Sequence, residues 1–449
     1  MEKYDLVILG GGPGGYLSAI RAAQRGLKTA LVEKKYLGGT CLNWGCIPTK
    51  CLADVAHTME KARRAAAQGV DFGTPAVDLP RLIGWKDRVV AGLRSGIGYL
   101  LKSHGVTVVN AEGRLAAADA IQAGEARLQA GHIILATGSV PARPGFLPVG
   151  DGRYLTSDEL LALDRLPESL AVVGGGAIGV EFASIFASFG TRVAVYEMLP
   201  RLLPLEDPEV GRTIERAFKK RGITVQTDRP AERSELDRFQ LVLVAIGRQP
   251  VTAGLGLEEA GVALDGKGFV RTGEDLQTSR PGIYAIGDIA GRGQLAYLAG
   301  EQGISVVEGI LGNRRPVACE FLPSCVFTQP EVGTFGVTEE QAGREPGRYR
   351  IGRFPFTALG KAHCLGETEG FVKLVAETAT GRIAGGQIVG PGAADLVHLA
   401  SLAAASEGTV ETVAEAIFGH PTLAESVKEA AADVLGLAAH LPARKAAGA

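Results

Sequence analysis

The sequence repeats itself. "DLVILGGGPGGYLSAIRAAQRGLKTALVE" at 5–33 lies over "SLAVVGGGAIGVEFASIFASFGTRVAVYE" at 169–197 without a gap. Gly10, Gly12, Gly15, Gly26 and Glu33 fall on Gly174, Gly176, Gly179, Gly190 and Glu197. Each copy reads as a short apolar strand, a glycine turn, an amphipathic helix ending at glycine, and a second apolar strand closed by glutamate. That order predicts a βαβ unit carrying G-x-G-x-x-G. The first glycine permits the tight turn, the second lets the backbone approach a pyrophosphate, and the third lets helix and strand pack closely. The helix N-terminus offers N–H groups and the positive end of its dipole to phosphates. The terminal acid accepts hydrogen bonds from ribose hydroxyls. Two such units predict two dinucleotide sites, one for a flavin and one for a nicotinamide. Glu197 suits a free ribose hydroxyl and repels a 2′-phosphate, so NAD is expected over NADP, with Arg201 nearby in sequence as a complication.

A chain of 449 residues is too long for one hydrophobic core. Apolar residues at 46%, charged residues at 21% and a formal net charge of −2 describe a globular protein and argue against a nucleic-acid partner. Two apolar stretches invite misreading. The one after Lys3 is broken by "GGGPGG" and lacks a convincing signal-peptide cleavage site, and the one around 170–189 contains "GGG" and Glu181. Neither an export signal nor a membrane span is expected, and the cytoplasm is the expected compartment.

Other punctuation fixes a layout. "IILATGSVP" (133–141) and "LVLVAIGRQP" (241–250) are apolar strands ending in glycine and a proline-containing loop, which fits chain crossings beside a bound cofactor. "PGIYAIGDIAG" (281–291) is a third such strand, with Asp288 just past its end. Proline and glycine near 141–153 mark a linker between the repeats. Beyond Pro316, "CVFTQPEVGTFGVTEEQ" is strand-like, "FVKLVAETATGRIAGGQIVG" (371–390) reads as a β-hairpin, and helices are expected from about 393 to 438. The class is α/β with two Rossmann-like units, followed by a third domain of α+β type.

"GGTCLNWGCIPTK" (38–50) places Cys41 and Cys46 five positions apart. On a regular helix their Cα atoms would be about 8.6 Å apart, whereas a disulfide wants roughly 4.4–6.8 Å. The pair closes only on a distorted helix, with Asn43 and Gly45 supplying tolerance and Pro48 limiting where regular hydrogen bonding resumes. Zinc needs two more ligands. Cys51 and His57 are near, but C-x4-C-x4-C matches no common zinc pattern, and no metal site is expected. From these residues alone, redox, core and zinc readings all stay open.

The same segment resembles the redox-active segment of the flavoprotein disulfide reductases, and the likeness runs through both glutamate-terminated repeats, "ATG", "AIGRQP", "YAIGDIAG" and "HPTLAESVKEAA". "HPTLAE" with Glu197 points to the branch acting on lipoamide rather than glutathione. The resemblance implies oxidation of protein-bound dihydrolipoamide to lipoamide, with reduction of NAD+ through FAD and a Cys41–Cys46 disulfide. Cys41 would meet substrate and Cys46 the flavin. Lys50 would lie near the flavin and pair with Glu181, which otherwise reads as an acid in the first turn of a helix. His420 would be the general base, supplied by the partner subunit of a homodimer, with Glu425 orienting its imidazole. FAD would be held by Gly10, Gly12, Gly15, Glu33, Lys50, Gly138 and Asp288, and NAD by Gly174, Gly176, Gly179, Glu197 and Gly247. The implied domains are FAD-binding at 1–145, NAD-binding at 146–265, a second FAD-binding part at 266–316 and a dimerisation domain at 317–449. A lipoyl-bearing protein is the implied partner. Reduction of another small disulfide by NAD(P)H, or of a lipoyl carrier outside the 2-oxoacid dehydrogenase complexes, is the alternative. A flavin-bearing redox-sensing subunit is the non-enzymatic one.

Two departures from the family pattern stand out. Phe418-Gly419-His420 replaces His-Ala-His, which would reshape the substrate channel. "DRPAERSELDRFQ" (228–240) replaces a longer β-meander, so the second dinucleotide domain is trimmed, yet its fold is expected to survive.

Overall fold

The computed structural model of this chain describes residues 2–443. Strand Glu2–Leu9, helix Pro13–Gln24 and strand Thr29–Glu33 form the first βαβ unit, and Ser169–Val173, Ala177–Ser188 and Arg192–Tyr196 form the second. In each unit the leading strand sits inside a parallel sheet with both faces covered. Its residues therefore run apolar without alternation: Leu6, Val7, Ile8, Leu170, Ala171 and Val172 are fully buried. The apolar stretch at 170–189 is thus a strand and a helix, and among the described residues no helix is long and apolar enough to cross a membrane.

The first sheet runs Thr107–Asn110, Thr29–Glu33, Glu2–Leu9, Ala126–Leu135, then the hairpin strands Ala120–Ala123 and Gly113–Ala117. A late strand, Ile283–Ala285, returns to pair in parallel with Ala126–Leu135, Ile283 opposite Ile133. The second sheet is five parallel strands, ordered Thr224–Gln226, Arg192–Tyr196, Ser169–Val173, Leu241–Val244 and Tyr154–Leu155. The chain passes between the sheets through Ser139–Pro141 and back through Arg248–Pro250. These two segments pair antiparallel, so the crossings expected from "IILATGSVP" and "LVLVAIGRQP" are bound to each other.

The third sheet is antiparallel, ordered Ser324–Val326, Glu331–Gly336, Ile383–Gly390, Phe371–Glu377 and Tyr349–Pro355. The expected 371–390 hairpin is its centre. Helices Ala393–Ala405, Val410–Glu415 and Glu425–Val434 pack on it, with Val372, Leu374, Val397, Ala400, Val427 and Ala430 in one core. The trimmed segment "DRPAERSELDRFQ" folds as a loop with one helical turn, Arg233–Leu236, closed by a capping box of Glu232 and Glu235. Leu236 plugs the core beside Val242, and the sheet keeps its five strands.

Candidate active site

The two glycine turns repeat each other in detail. Gly10 and Gly174 take left-handed backbone, φ 109° and 110°, and a Cβ on either would lie 2.3 Å from the carbonyl oxygen of Ala136 or Ala245. A Cβ on Gly15 or Gly179 would lie 1.8 or 1.9 Å from the carbonyl oxygen of Gly10 or Gly174. The protein itself requires these four. Gly12 and Gly176 are different, with ordinary φ of −70° and −75°. A Cβ on Gly176 would meet nothing within 4 Å, and one on Gly12 only Gly39 Cα at 3.8 Å. No protein atom demands glycine there, so the open ground fits a pyrophosphate in both turns. Neither helix has a side-chain N-cap, which leaves its first-turn N–H groups to phosphate oxygens.

Both terminal acids are pinned back to their turns. Glu33 accepts N–H bonds from Gly11 (2.7 Å) and Lys35 (2.8 Å), and Glu197 from Gly175 (2.6 Å) and Leu199 (2.8 Å). Each carboxylate oxygen retains a second lone pair for a ribose hydroxyl. Arg201 bonds the carbonyl oxygen of Pro204 and Glu340, at 3.3 and 3.4 Å.

The cysteine segment is two helices. Gly39–Trp44 stops at Gly45, φ −134° and ψ −112°, and Cys46–Ala65 begins at the next residue. A Cβ on Gly45 would lie 3.0 Å from the Thr40 carbonyl oxygen and 3.3 Å from Cys41 Cα. Glycine therefore lets the chain fold back tightly, and the expected distortion of the helix is a full break. Pro48 falls in the first turn of the new helix, where a missing N–H costs nothing. Asn43 is a clasp rather than a point of tolerance. Its Nδ2 donates to the carbonyl oxygens of Leu37 and Gly39 (3.0 and 2.9 Å), while Arg94 Nε donates to its Oδ1 (3.0 Å). Arg94 in turn lies 3.9 Å over the Tyr36 ring.

Cys41 and Cys46 are both free thiols, Cys41 half-buried and Cys46 exposed. The two thiols titrate as a pair: interaction with the Cys41 sulfur and the Lys50 ammonium lower the Cys46 thiol, while interaction with the Cys46 sulfur, and burial, push Cys41 up.

Lys50 Nζ lies 2.9 and 3.0 Å from the two carboxylate oxygens of Glu181, as the resemblance implied. Glu181 is 5% exposed and also accepts the Phe327 N–H at 2.9 Å, and the Phe327 ring lies 4.4 Å beneath Lys50 Nζ. Sequence reasoning missed Phe327, because its donor is backbone arriving from the third sheet.

Asp288 sits in the one-turn helix Gly287–Ala290 and accepts a hydrogen bond from Ser139 Oγ. Arg248 Nε donates to that same Oγ at 2.7 Å and stands 3.9 Å from Asp288. Gly138 and Gly247, at φ 70° and 123°, immediately precede Ser139 and Arg248. The polar cluster that could hold a ribityl or ribose hydroxyl is thus Ser139, Arg248 and Asp288. The only sequence signal for the first two was their place after a glycine at a strand end.

His420 Nδ1 lies 2.9 Å from Glu425 Oε1, and Glu425 Oε2 accepts the Thr422 N–H at 2.7 Å. Burial pushes the Glu425 carboxyl up, but the Thr422 N–H and His420 outweigh it and hold it below the ordinary range. The His420 side chain is 78% exposed, and among the described residues this pair makes no hydrogen bond to the cysteine segment. Phe418 does not stand free beside it. It packs against the core of the third sheet, with Lys428 Nζ 6.0 Å over its ring.

Residues 4–303 match the family described as pyridine nucleotide-disulphide oxidoreductase, and residues 322–431 match its dimerisation domain. A dihydrolipoyl dehydrogenase of Chlorobaculum tepidum is 40% identical over 426 residues, covering 89% of this chain and 90% of the relative. One of Bacillus subtilis is 38% identical over 434 residues, covering 89% and 91%. Among solved structures, LpdA of Mycobacterium tuberculosis superimposes with a TM-score of 0.87 at 28% identity, covering 96% of this chain and 99% of that one. The HOCl-induced flavoprotein disulfide reductase RclA of Escherichia coli does so with 0.85 at 27% identity and the same coverage.

Proposed function

Because this chain belongs to the pyridine nucleotide-disulphide oxidoreductase family, an enzyme family that uses FAD and a pyridine nucleotide, we propose that it oxidises dihydrolipoamide carried on a partner protein and delivers the electrons to NAD+. The observation that carries the reading is geometric: Cys41 and Cys46 flank the chain break at Gly45, and Lys50, one helical turn after Cys46, pairs with Glu181; of the two thiols Cys46 is the lowered one and Cys41 the raised one. In thiol–disulfide exchange the sulfur of lower pKa leaves faster. A substrate thiolate therefore attacks Cys41 of the oxidised pair and expels Cys46 as thiolate, which the Lys50 ammonium stabilises. The second substrate thiol then displaces Cys41, giving the cyclic disulfide product and a reduced pair. The FAD, when bound, supplies the two-electron carrier between that dithiol and the nicotinamide.

The chain's own residues do the rest. His420 takes the proton from the attacking thiol, since only the thiolate is a nucleophile, and Glu425 fixes the ring through Nδ1, leaving Nε2 for the proton. We assign this His420 to the second copy of a homodimer. The dimerisation-domain match and the outward exposure of His420 support that assignment. FAD would be held by the Gly10–Gly12–Gly15 turn, Glu33, Lys50, Gly138 and Asp288, and NAD by the Gly174–Gly176–Gly179 turn, Glu197 and Gly247. Residues 1–145 and 266–316 then form the FAD-binding part, 146–265 the NAD-binding part and 317–449 the dimer interface. Overall, dithiol and NAD+ give disulfide, NADH and one proton. We place the reaction in the cytoplasm, where thiol pools keep working cysteines reduced.

The test is NADH formation from dihydrolipoamide, free and on a lipoyl domain, with NAD+ or NADP+. Turnover with NAD+ and faster turnover of the carried form are expected. No NADH from FAD-loaded protein with an intact Cys41–Cys46 pair overturns the reading, and a preference for NADP+ overturns its nucleotide part.

A further inference from the structure

Lys373 lies in strand Phe371–Glu377 of the third sheet and is fully buried. Its ammonium is surrounded by Asp207 Oδ1 at 3.0 Å, Glu209 Oε2 at 2.9 Å and Glu339 Oε2 at 2.7 Å. These three carboxylates approach within 4.8 Å of one another, close enough to need a cation between them, and Lys373 supplies it. Arg353 Nη2 closes the cluster from outside, 2.7 Å from Glu209 and 2.8 Å from Glu339. A lysine buried this completely is expensive unless fully paired. What the pairing holds in place is informative.

Asp207 and Glu209 belong to the second βαβ region, at the start of helix Pro208–Lys220, whereas Lys373, Glu339 and Arg353 belong to the third domain. Asp207 ends the loop that leaves Glu197, the acid of the second dinucleotide turn. That loop is stitched at both ends. At its beginning, Glu197 accepts the Leu199 N–H, and the Leu203 N–H donates to Gly175 in the glycine turn at 2.8 Å. At its end, Glu206 accepts Ser324 Oγ (2.9 Å) and Thr334 Oγ1 (2.5 Å) from the third sheet. Asp207 accepts the Glu209 N–H (2.9 Å), the Glu339 N–H (2.9 Å) and Lys373. Burial pushes Asp207 up, but these donors outweigh it and keep the carboxyl ionised below its ordinary range. Midway, Leu202 fills the space over Gly175, where an added Cβ would come within 2.7 Å of it.

We propose that Lys373 is a positioning residue for the nicotinamide dinucleotide: by clamping Asp207 and Glu209 to the third domain it fixes the 198–207 loop, and through it Glu197 and the Gly174–Gly179 turn. Lys373 touches no nucleotide in this account. It acts through the loop, so the nucleotide's adenosine end is held from the domain that also carries His420. The inference rests on the second turn binding NAD, as proposed above.

The test is Lys373→Met, near in volume and uncharged, in the FAD-loaded protein, with NADH binding measured by titration and flavin reduction measured with dihydrolipoamide in the absence of nucleotide. NADH affinity is expected to fall about tenfold, within the range by which residues acting through an intervening network shift binding, while the nucleotide-free step keeps its rate. Lys86→Met is the comparison, because Lys86 is also buried, bonding Leu161 O at 3.0 Å, but lies off this loop. Equal affinity losses in both variants, or an unchanged NADH affinity in Lys373→Met, overturn the proposal. Should Lys373→Met not fold, Glu339→Gln weakens the same clamp from its exposed side, and an affinity loss of about threefold is expected; none overturns it. NADH binding is read without any dithiol. A protein that ignores dihydrolipoamide yet shows the Lys373 effect therefore loses the substrate reading and keeps this one.

Discussion

Replacing Lys50 with methionine should raise the pKa of the Cys46 thiol, and replacing Glu181 with glutamine should lower it. Cys46 and Lys50 are four residues apart on helix Cys46–Ala65, where Cβ atoms stand about 5–6 Å apart. A unit charge pair at ~6 Å with an effective dielectric constant of about 20 is worth about 2.8 kcal/mol, or about two pH units. Glu181, 2.9 and 3.0 Å from Lys50 Nζ, is present before and after that substitution and cancels in the difference, so the expected rise is about two units. In Glu181→Gln the ammonium stays and the opposing carboxylate is gone, which reverses the sign. The assay is the pH dependence of iodoacetamide alkylation at Cys46 in the reduced protein, resolved by mass spectrometry. The wild-type midpoint is expected at about 7. Lys50→Met also strands a buried carboxylate at a cost of about 3–5 kcal/mol, so thermal unfolding is followed in parallel. Midpoints that move the same way in both variants, or that stay within about half a unit of wild type, refute the electrostatic account of Cys46.

Four further outcomes are expected. His420→Gln should slow flavin reduction by dihydrolipoamide about 10²–10⁴-fold and barely change NADH-driven reduction of an artificial acceptor; equal losses remove His420 as the base. Glu425→Gln should cut the same dithiol step while moving the thermal midpoint little, because His420 is exposed and the amide oxygen can still accept the Thr422 N–H. Glu197→Ala should raise the ratio of kcat/KM for NADPH over NADH at least about tenfold by removing a like-charge contact. Gly176→Ala and Gly179→Ala should part company. The first has room for its methyl group and should fold but bind NADH weakly; the second places it 1.9 Å from the Gly174 oxygen and should fail to accumulate as folded protein.

What was legible in the sequence was what a ligand or a local period imposes. The two glycine turns and their glutamates were legible because phosphate and ribose fix their spacing, whereas Lys50 and its pairing with Glu181 came only from the family resemblance. The cluster of Ser139, Arg248 and Asp288 was legible only at Asp288, since its members meet through the pairing of Ser139–Pro141 with Arg248–Pro250, remote segments with no common motif. Asn43 was read as a flexible spot in a bent helix; its clasp depends on Arg94, which arrives from helix Leu79–Ser103. Phe418 was read as reshaping the substrate channel beside His420; what the sequence did not show is that its ring, half-buried, packs against the third-sheet core. Lys373 illustrates the general limit. In "FVKLVAE" a lysine between apolar residues suggests a solvent-facing side chain, yet the strand is central and covered on both faces, and only carboxylates from two other segments make the buried charge tolerable.

The central claim is that electrons pass from a dithiol to NAD+ through Cys41 and Cys46. FAD-loaded protein, mixed anaerobically with one equivalent of dihydrolipoamide and quenched with an alkylating agent, should carry label on both cysteines. Addition of NAD+ before the quench should return both to the unlabelled disulfide, with one NADH formed per pair. NADH that appears while the two cysteines stay in one state throughout would contradict the account.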